Sequence, residues 1–383
     1  MKTEAEKWSE IQDILMRVYC SDDVEHKKVV LAVNEGVSEE ARKLHEESIV
    51  IDGCETSLHR ANWMTDAAGV TATHLTIPTV FDNDPGNAIR ETIHMHEIIH
   101  HSPDKMLLVN TVDDIYRAKA EGKTGIIYAA QHPDYLLHRN LESSLEVYQR
   151  MGLRILQIAY NTRSFAADGS RTYSDDGMTS QGRALIRAIE NAGVTVDLSH
   201  VGSKSAVEAM KYVTKPMIYS HSNPVSMFPH PRNITDEQIK LCAETGGVIG
   251  VAGYPEIMWD GKVLPCMERF VDIICYIADL VGVDHVGIGT DLPAEAGAHE
   301  RQEAWDIGDG YTGKDSPNPH GSPYKYCYEA GWGIETIDIR GFNSIANFPN
   351  LTEHMLRRGF SHEEIKKILG LNFLRVYSAT WKK

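Results

Sequence analysis

Short apolar runs alternate with amphipathic segments along most of the chain. Eight runs are rich in Val, Ile and Leu and are bounded by Gly, Pro or Asn, which is typical of buried parallel strands. They are SIVIDG (48–53), ATHLTIP (72–78), TGIIYAAQ (124–131), RILQIAY (154–160), TVDLSH (195–200), PMIYSHS (216–222), GGVIGVAG (246–253) and HVGIGTD (285–291). Intervening stretches such as QGRALIRAIENAG have apolar positions at helical spacing. The alternation predicts an α/β fold, a (β/α)₈ TIM barrel.

An open doubly wound sheet is the alternative arrangement of such strands and helices. It would need a glycine-rich phosphate loop after an early strand, and IDGCETS, which ends the first strand, is not such a loop. The closed barrel is therefore favoured.

Extra segments stand at the start of this pattern and after its last strand. Residues 1–47 have helical spacing and predict an N-terminal helical extension. Residues 293–349 are rich in Gly, Pro, Tyr and Trp and are too long for an ordinary connection. We expect this insertion to be a lid over the site or an oligomer contact. No linker divides the chain, so residues 1–383 are expected to form one domain.

The amino-acid composition limits the kinds of molecule that the protein is expected to bind. Hydrophobic residues make up 42% and charged residues 24% of the chain, as in ordinary globular proteins. The formal net charge of −16 argues against nucleic acid or an anionic membrane as a partner, while a small carboxylate remains compatible. The charged N-terminal segment lacks the apolar core of a signal peptide, and no run has the length of a membrane span. We expect a cytoplasmic protein with reduced cysteines.

Polar residues stand where five predicted strands end. They are Gln131, Tyr160, His200, His221 and Asp291. A single histidine at a strand end is more often a hydrogen-bonded structural residue than a metal ligand. In a TIM barrel, however, the active site is assembled from the C-terminal ends of several strands. The convergence of all five on one rim therefore predicts a functional site.

The residue types at this rim indicate metal chemistry. His200 and His221 suit a borderline cation such as zinc, which readily accepts neutral imidazole. Asp291 is either a further ligand or the base that takes a proton from water. Arg232, in HPRNITDEQ, follows the His221 strand and suits a substrate carboxylate; a surface salt bridge is the alternative.

Five stretches of the chain carry a family resemblance, and they are DLSHVGSKSAVEAM, KPMIYSHSNP, HPRNITDEQIKLCAETGGVIGV, HVGIGTD and NLTEHMLRRGFSHEEIKKILGLNFLRVY. Together they resemble the membrane (renal) dipeptidase family of the amidohydrolase superfamily. The resemblance extends over about residues 48–378. It implies a barrel fold, a two-metal site and removal of the C-terminal residue of dipeptides. Relatives are often dimers, so a homodimer is expected.

The resemblance also implies roles for individual residues. His200 and His221 correspond to the ligands of one metal, and Asp291 to the acid/base residue that faces the reactive water. Arg232 corresponds to the residue that holds the substrate carboxylate, with Asn223 nearby.

This chain departs from the family pattern at three places. The His-x-Asp pair that ends the family's first strand is replaced by Cys54 and Thr56, and the Glu that bridges two metals by Gln131. A histidine expected to stabilise the tetrahedral intermediate is replaced by Tyr160. Loss of the bridging carboxylate removes the charge that would offset two adjacent dications. We therefore expect one divalent ion, zinc.

The predicted site is a remodelled, mononuclear metallohydrolase centre. His200 and His221 hold the ion, Gln131 or Asp291 completes the ligand set, and Tyr160 donates a hydrogen bond to the developing oxyanion. The expected reaction is cleavage of an amide or related bond in a small carboxylate-bearing substrate. A lyase or isomerase that moves protons with Tyr160 and Asp291, and a non-catalytic binding relative, are the alternatives. Glu55 is a weaker candidate ligand, a solvated loop charge being favoured.

Overall fold

The computed structural model describes residues 31–55, 63–78, 83–263, 265–292, 341–342 and 344–382. The part of the predicted helical extension before residue 31 and most of the predicted insertion at 293–349 lie outside these residues. Thr56 lies outside them as well.

Nine strands form one parallel sheet. They are β1 (Ile51–Glu55), β2 (Ala72–Thr76), β3 (Met106–Leu108), β4 (Thr124–Ala130), β5 (Leu153–Gln157), β6 (Thr195–Asp197), β7 (Ile218–Tyr219), β8 (Val248–Val251) and β9 (Val286–Ile288). All eight predicted strands are present. The short strand β3 was not predicted; it pairs with the first half of β4, whereas β5 pairs with the second half.

Helices follow most of the strands. They are α1 (Glu39–Glu47), α2 (Trp63–Ala68), α3 (Pro85–His101), α4 (Val112–Glu121), α5 (Leu141–Arg150), α6 (Ser180–Ala192), α7 (Ser203–Met210), α8 (Asp236–Glu244), α9 (Met267–Val281), α10 (Phe348–Arg358), α11 (His362–Lys366) and α12 (Asn372–Thr380). A π-helical turn, Lys367–Leu371, joins the last two. In the part of the chain that the structure describes, no helix is long and apolar enough to cross a membrane. A cytoplasmic location stays a prediction.

The strand order is that of a nearly closed barrel. Neighbouring strands run β1-β2-β4-β5-β6-β7-β8-β9, all in parallel, with β3 beside β4. Side-chain and backbone contacts bring the first and last strands together. The Asp52 carboxylate accepts hydrogen bonds from the backbone N–H (2.7 Å) and the hydroxyl (2.6 Å) of Thr290. The predicted TIM-barrel fold is confirmed.

The C-terminal helix closes the bottom of the barrel. Phe373, Tyr377 and Trp381 stack in one row, with ring centroids 5.9 Å and 4.4 Å apart. The Trp381 indole donates a hydrogen bond to Thr195, the first residue of β6. The same apolar cluster includes inward-facing strand residues such as Ile127. Because the lower end is filled, the rim at the C-terminal ends of the strands is the side at which a ligand can enter.

His45 joins three elements outside the barrel. It lies on α1, and its Nε2 contacts the Ala68 carbonyl oxygen at the end of α2 while its Nδ1 contacts the Thr352 hydroxyl on α10, both at 2.8 Å. Burial lowers the pKa of His45 to about 4. The neutral ring uses one nitrogen as a donor and one as an acceptor, and this pattern is lost when it is protonated.

The buried, neutral His45 predicts a loss of stability in acid. The folded pKa lies below the unfolded value of 6.5, so stability is fully present above pH 6.5 and is lost as the pH falls towards about 4. A shift of this size corresponds to about 3 kcal/mol. We expect His45→Gln, measured by urea unfolding across this pH range, to lose less stability in acid than the wild type. The exposed His362→Gln serves as the control; equal acid losses in all three proteins would contradict the prediction.

Candidate functional site

The five predicted rim residues all lie beyond the C-terminal ends of strands. Gln131 directly follows β4, and His221 is two residues beyond β7. Tyr160, His200 and Asp291 are each three residues beyond β5, β6 and β9. Loops at one end of a parallel barrel converge, so these side chains can share one site.

A hydrogen-bond chain orients His221. The Ser220 hydroxyl donates to an Asp197 carboxylate oxygen at 2.5 Å, and the same hydroxyl oxygen contacts His221 Nδ1 at 2.7 Å. Because the hydroxyl's one proton points to Asp197, Nδ1 of His221 must be the donor in the second bond. This fixes the tautomer in which Nε2 of His221 carries a lone pair.

The tautomer of His200 is fixed in the same way, by a residue on a different loop. Its Nδ1 contacts the side-chain oxygen of Asn161 at 2.7 Å, so Nδ1 is the donor and Nε2 is the acceptor. The two acceptor nitrogens, Nε2 of His200 and Nε2 of His221, lie 2.9 Å apart. Two lone pairs at this distance repel each other unless a cation lies between them.

Both imidazoles are neutral in the structure. Burial lowers the pKa of His200 well below its usual range, and the positive charge of Arg232 acts in the same direction. Burial and Arg232 likewise lower the pKa of His221. Neutral imidazole is the form that binds metal ions. The donor chemistry of this pair therefore fits a divalent cation.

Two further donor atoms lie beside His221. Cys54 Sγ, a ring nitrogen of His221 and an Asp291 carboxylate oxygen are all within 4.8 Å of one another. Within this group, Cys54 Sγ is 3.5 Å from Asp291 Oδ1. Burial, with the negative charges of Asp291 and Asp52, raises the pKa of the Cys54 thiol well above its usual range. A bound cation would reverse that electrostatic balance.

Backbone strain is concentrated at this rim. Among the described residues, three that are not glycine have a positive φ: Asn161 (54°), His200 (65°) and Asp291 (55°). This left-handed region is uncommon for side-chain-bearing residues and is typical of functional sites. The strained positions include two of the candidate metal-site residues and the amide that orients one of them.

Comparison with sequence profiles of known families identifies the family of this chain. The sequence profile of the membrane dipeptidase family (peptidase family M19) matches residues 54–303 and 332–382, which is more than half of the chain. The chain belongs to the membrane dipeptidase family. The resemblance that the sequence motifs indicated is thereby confirmed.

Individual relatives agree with this membership. Dipeptidase tcpJ of Claviceps purpurea is 26% identical over 277 residues, which is 71% of this chain and 55% of that protein. Dipeptidase aclJ of Aspergillus oryzae is 23% identical over 77% of this chain and 63% of that protein. The chain thus spans about 55–63% of the length of these membrane dipeptidase relatives.

Solved structures of related proteins have the same architecture. An amidohydrolase from Pseudomonas aeruginosa is 28% identical, with a TM-score of 0.76 over 90% of this chain and 99% of that one. The probable dipeptidase PvdM from the same organism is 19% identical, with a TM-score of 0.70 over 89% of this chain and 98% of that one. The second likeness, at 19% identity, shows the barrel fold alone.

Gln131 lies beside Cys54. Its Nε2 donates to the Thr76 hydroxyl at 2.8 Å and lies 3.5 Å from Cys54 Sγ. As a metal ligand Gln131 would use its side-chain oxygen, and that role stays a prediction.

Asn223 and Arg232 are buried on the loop after β7. The Asn223 amide accepts from the Ala252 N–H and donates to the Ala252 carbonyl, both at 3.0 Å, so it ties two strand ends together. Its predicted contact with the substrate stays a prediction. Arg232 donates to the Ser222 hydroxyl at 2.9 Å and to the His221 carbonyl at 2.7 Å. The alternative of a surface salt bridge for Arg232 is therefore wrong.

Glu55 lines a cavity that neither His200 nor His221 lines. It is the last residue of β1 and is 1% exposed, so it is not a solvated loop charge. It lines a small cavity with Thr65, Thr73 and Val70, between the first strands and α2.

The orienting residues Asp197, Ser220 and Asn161 were not predicted. Each stands next to a rim residue in the sequence or three positions before it, in DLSH, YSHS and AYN. That adjacency is a signal, but the hydrogen bonds from Ser220 to Asp197 and from His200 to Asn161 join residues 23 and 39 positions apart in the chain.

Ser220→Ala tests whether the orientation of His221 supports metal binding. Removal of the hydroxyl leaves His221 Nδ1 without its acceptor, and loss of such an orienting partner weakens metal affinity roughly 10–100-fold. Competition with a coloured chelator measures the affinity. Ser48→Ala, a buried serine on α1's C-terminal side, is the matched control. Equal metal affinities of Ser220→Ala and the wild type would contradict the role of the Asp197–Ser220–His221 hydrogen bonds in metal binding.

Proposed function

We propose that this protein is a dipeptidase-like hydrolase that uses one divalent ion, with zinc as the expected metal. Its substrate class is a small molecule with a free carboxylate next to an amide or related bond. The observation that carries the proposal is the 2.9 Å separation of the two acceptor nitrogens of His200 and His221. Membership in the membrane dipeptidase family supports the hydrolase class.

One ion is proposed in place of the two implied by the family pattern. The first-strand pair is Cys54 and Thr56, so the dedicated histidine and aspartate ligands of one metal are absent from the sequence. Gln131 replaces the bridging carboxylate, and a neutral amide does not offset the repulsion between two adjacent dications. Asp291 supplies a carboxylate that suits a single dication.

The residues that would hold the ion are His200, His221 and a donor from the Cys54–Asp291 side. When bound, the ion supplies a Lewis acid that polarises the scissile carbonyl and lowers the pKa of water. Asp291 is partly exposed at the rim, where it can contact both substrate and solvent. We assign one of its two carboxylate oxygens as the general base that takes a proton from the attacking water and returns it to the leaving nitrogen, which leaves the other oxygen available to the ion.

Tyr160 is the proposed oxyanion donor. Its ring packs on the His200 ring with centroids 4.2 Å apart, and its side chain is partly exposed. We assign its phenolic O–H as the donor to the negative charge that develops on the substrate oxygen. It replaces the histidine of the family pattern with a donor that carries no positive charge.

Arg232 is the proposed partner of the substrate carboxylate. Its guanidinium is 4% exposed, and burial lowers its pKa to about 10, so it stays charged at neutral pH. Its two internal hydrogen bonds hold it next to His221, and a guanidinium has five N–H donors in all. A buried positive charge beside the imidazole pair favours an anionic substrate group.

Hydrolysis assays test the proposed function. We expect metal-loaded protein to hydrolyse dipeptides or N-acyl amino acids, chelator-treated protein to lose this activity, and reloading to restore it. The matching C-terminal amides should be poor substrates because they lack the carboxylate. Undiminished hydrolysis after complete metal removal would contradict the proposal. An elimination or isomerisation product that contains no oxygen from water would favour the lyase or isomerase alternative.

Tyr160→Phe tests the oxyanion donor. The substitution keeps the ring that packs on His200 and removes the hydroxyl, so metal content should not change. Loss of one oxyanion donor lowers kcat roughly 10²–10³-fold. The measurement is steady-state kinetics on the dipeptide or N-acyl amino acid that the wild type hydrolyses best, with metal content recorded for both proteins. A kcat equal to that of the wild type would exclude this role.

A further inference from the structure

We infer that Cys54 binds the metal ion as a thiolate, in one ligand set with His221 and Asp291, and that Gln131 holds this thiolate in place. The inference rests on the proposed function, because it assigns a ligand to the same ion. It adds a sulfur donor to a site in which the family pattern has nitrogen and oxygen ligands alone.

The distances fit a single ion. Zinc bonds of about 2.3 Å to sulfur and about 2.0 Å to oxygen, at a tetrahedral angle, separate the two donor atoms by about 3.5 Å. Cys54 Sγ and Asp291 Oδ1 are 3.5 Å apart. A ring nitrogen of His221 lies within 4.8 Å of the ligand atoms of Cys54 and Asp291. His200 Nε2 is 2.9 Å from His221 Nε2 but is not part of this group, so Cys54, His221 and Asp291 are the three donors that can share one cation.

The backbone holds Cys54 and Asp291 together before any ion binds. The Asp291 N–H donates to the Cys54 carbonyl oxygen at 3.1 Å, and the Cys54 N–H donates to the Asp52 carboxylate at 3.2 Å. Cys54 lies within strand β1 and is 2% exposed. A ligand on a strand with little freedom loses little conformational entropy when it binds a metal.

Gln131 distinguishes this arrangement from one in which Cys54 is only a buried apolar residue. Its amide nitrogen is fixed by the Thr76 hydroxyl at 2.8 Å and lies 3.5 Å from Cys54 Sγ. An N–H donor stabilises the charged form of a thiol, whereas a carboxylate at this position would repel it. The exchange of Glu for Gln is therefore complementary to the exchange of His for Cys.

Charge balance agrees with one ion. A thiolate at Cys54 and a carboxylate at Asp291 together carry two negative charges, and the imidazoles of His200 and His221 are neutral. These charges match one dication. Because the thiolate is the ligand form of cysteine, each ion that binds releases the thiol proton to solvent.

Cobalt spectroscopy tests the inference without an activity measurement. The chelator-treated full chain is reloaded with Co(II), and the near-ultraviolet spectrum is searched for the intense thiolate-to-cobalt charge-transfer band. We expect this band in the wild type and its loss in Cys54→Ser. Cys242→Ser is the matched control, because Cys242 is equally buried but lies on α8; it should keep the band. Gln131→Leu, which removes the N–H donor without adding a charge, should bind Co(II) at least 10-fold more weakly.

The outcomes separate this inference from the proposed function. Stoichiometric cobalt with hydrolytic activity but no charge-transfer band in the wild type would overturn the thiolate ligand and leave the hydrolase proposal intact. A charge-transfer band that survives in Cys54→Ser would likewise overturn the Cys54 ligand and leave the hydrolase proposal intact. Absence of bound cobalt would overturn the one-metal proposal and the ligand assignment together. A wild-type spectrum without the band overturns the thiolate ligand whether or not a variant folds, and Cys242→Ser shows whether a buried Cys-to-Ser change by itself removes the band.

Discussion

The facing of two imidazole lone pairs at 2.9 Å is the constraint on which the site depends. It arises because Asp197, acting through Ser220, makes Nδ1 of His221 a donor, while Asn161 does the same for His200. Each ring is thus held by a partner behind it and presents an acceptor in front. A cation bound by both nitrogens would replace this repulsion with two coordinate bonds. The orienting residues would then hold each ring in the tautomer that binds the ion.

Close backbone packing brings His221 to the centre of the rim. A Cβ added to Gly250 or Gly289 would lie 1.9 Å from the Ser220 carbonyl oxygen, and one added to Gly53 would lie 2.5 Å from it. Three strands of the barrel therefore have no side chain where the end of β7 crosses the interior. A larger residue at these positions would push the Ser220–His221 segment away from Asp197 and His200. The glycines in IDGC, GVIGV and HVGIGTD thus serve the site as well as the fold.

The barrel and its rim were predictable from sequence because both depend on local patterns. Apolar runs mark the strands, and residues that follow them in a parallel barrel must meet at one end. The pairing of Cys54 with Asp291, 237 residues later in the chain, depends on how the barrel closes, so no local pattern contains it. The Gln131 amide nitrogen faces the sulfur of Cys54, and the Asn223 side chain bonds to Ala252. Neighbouring residues in the folded barrel determine both orientations, so the sequence alone does not predict them. The three residues of β3 were too few to form a recognisable run.

Metal content per chain tests the central claim of a single-ion centre most directly. The measurement is elemental analysis of protein purified without chelators, with the protein concentration determined independently by amino-acid analysis. The arrangement of His200, His221, Cys54 and Asp291 predicts about one zinc, or a similar divalent ion, per chain. Two ions per chain would contradict the argument from the missing bridging carboxylate. A metal-free chain that still turns over its substrate would contradict the argument from the facing imidazoles.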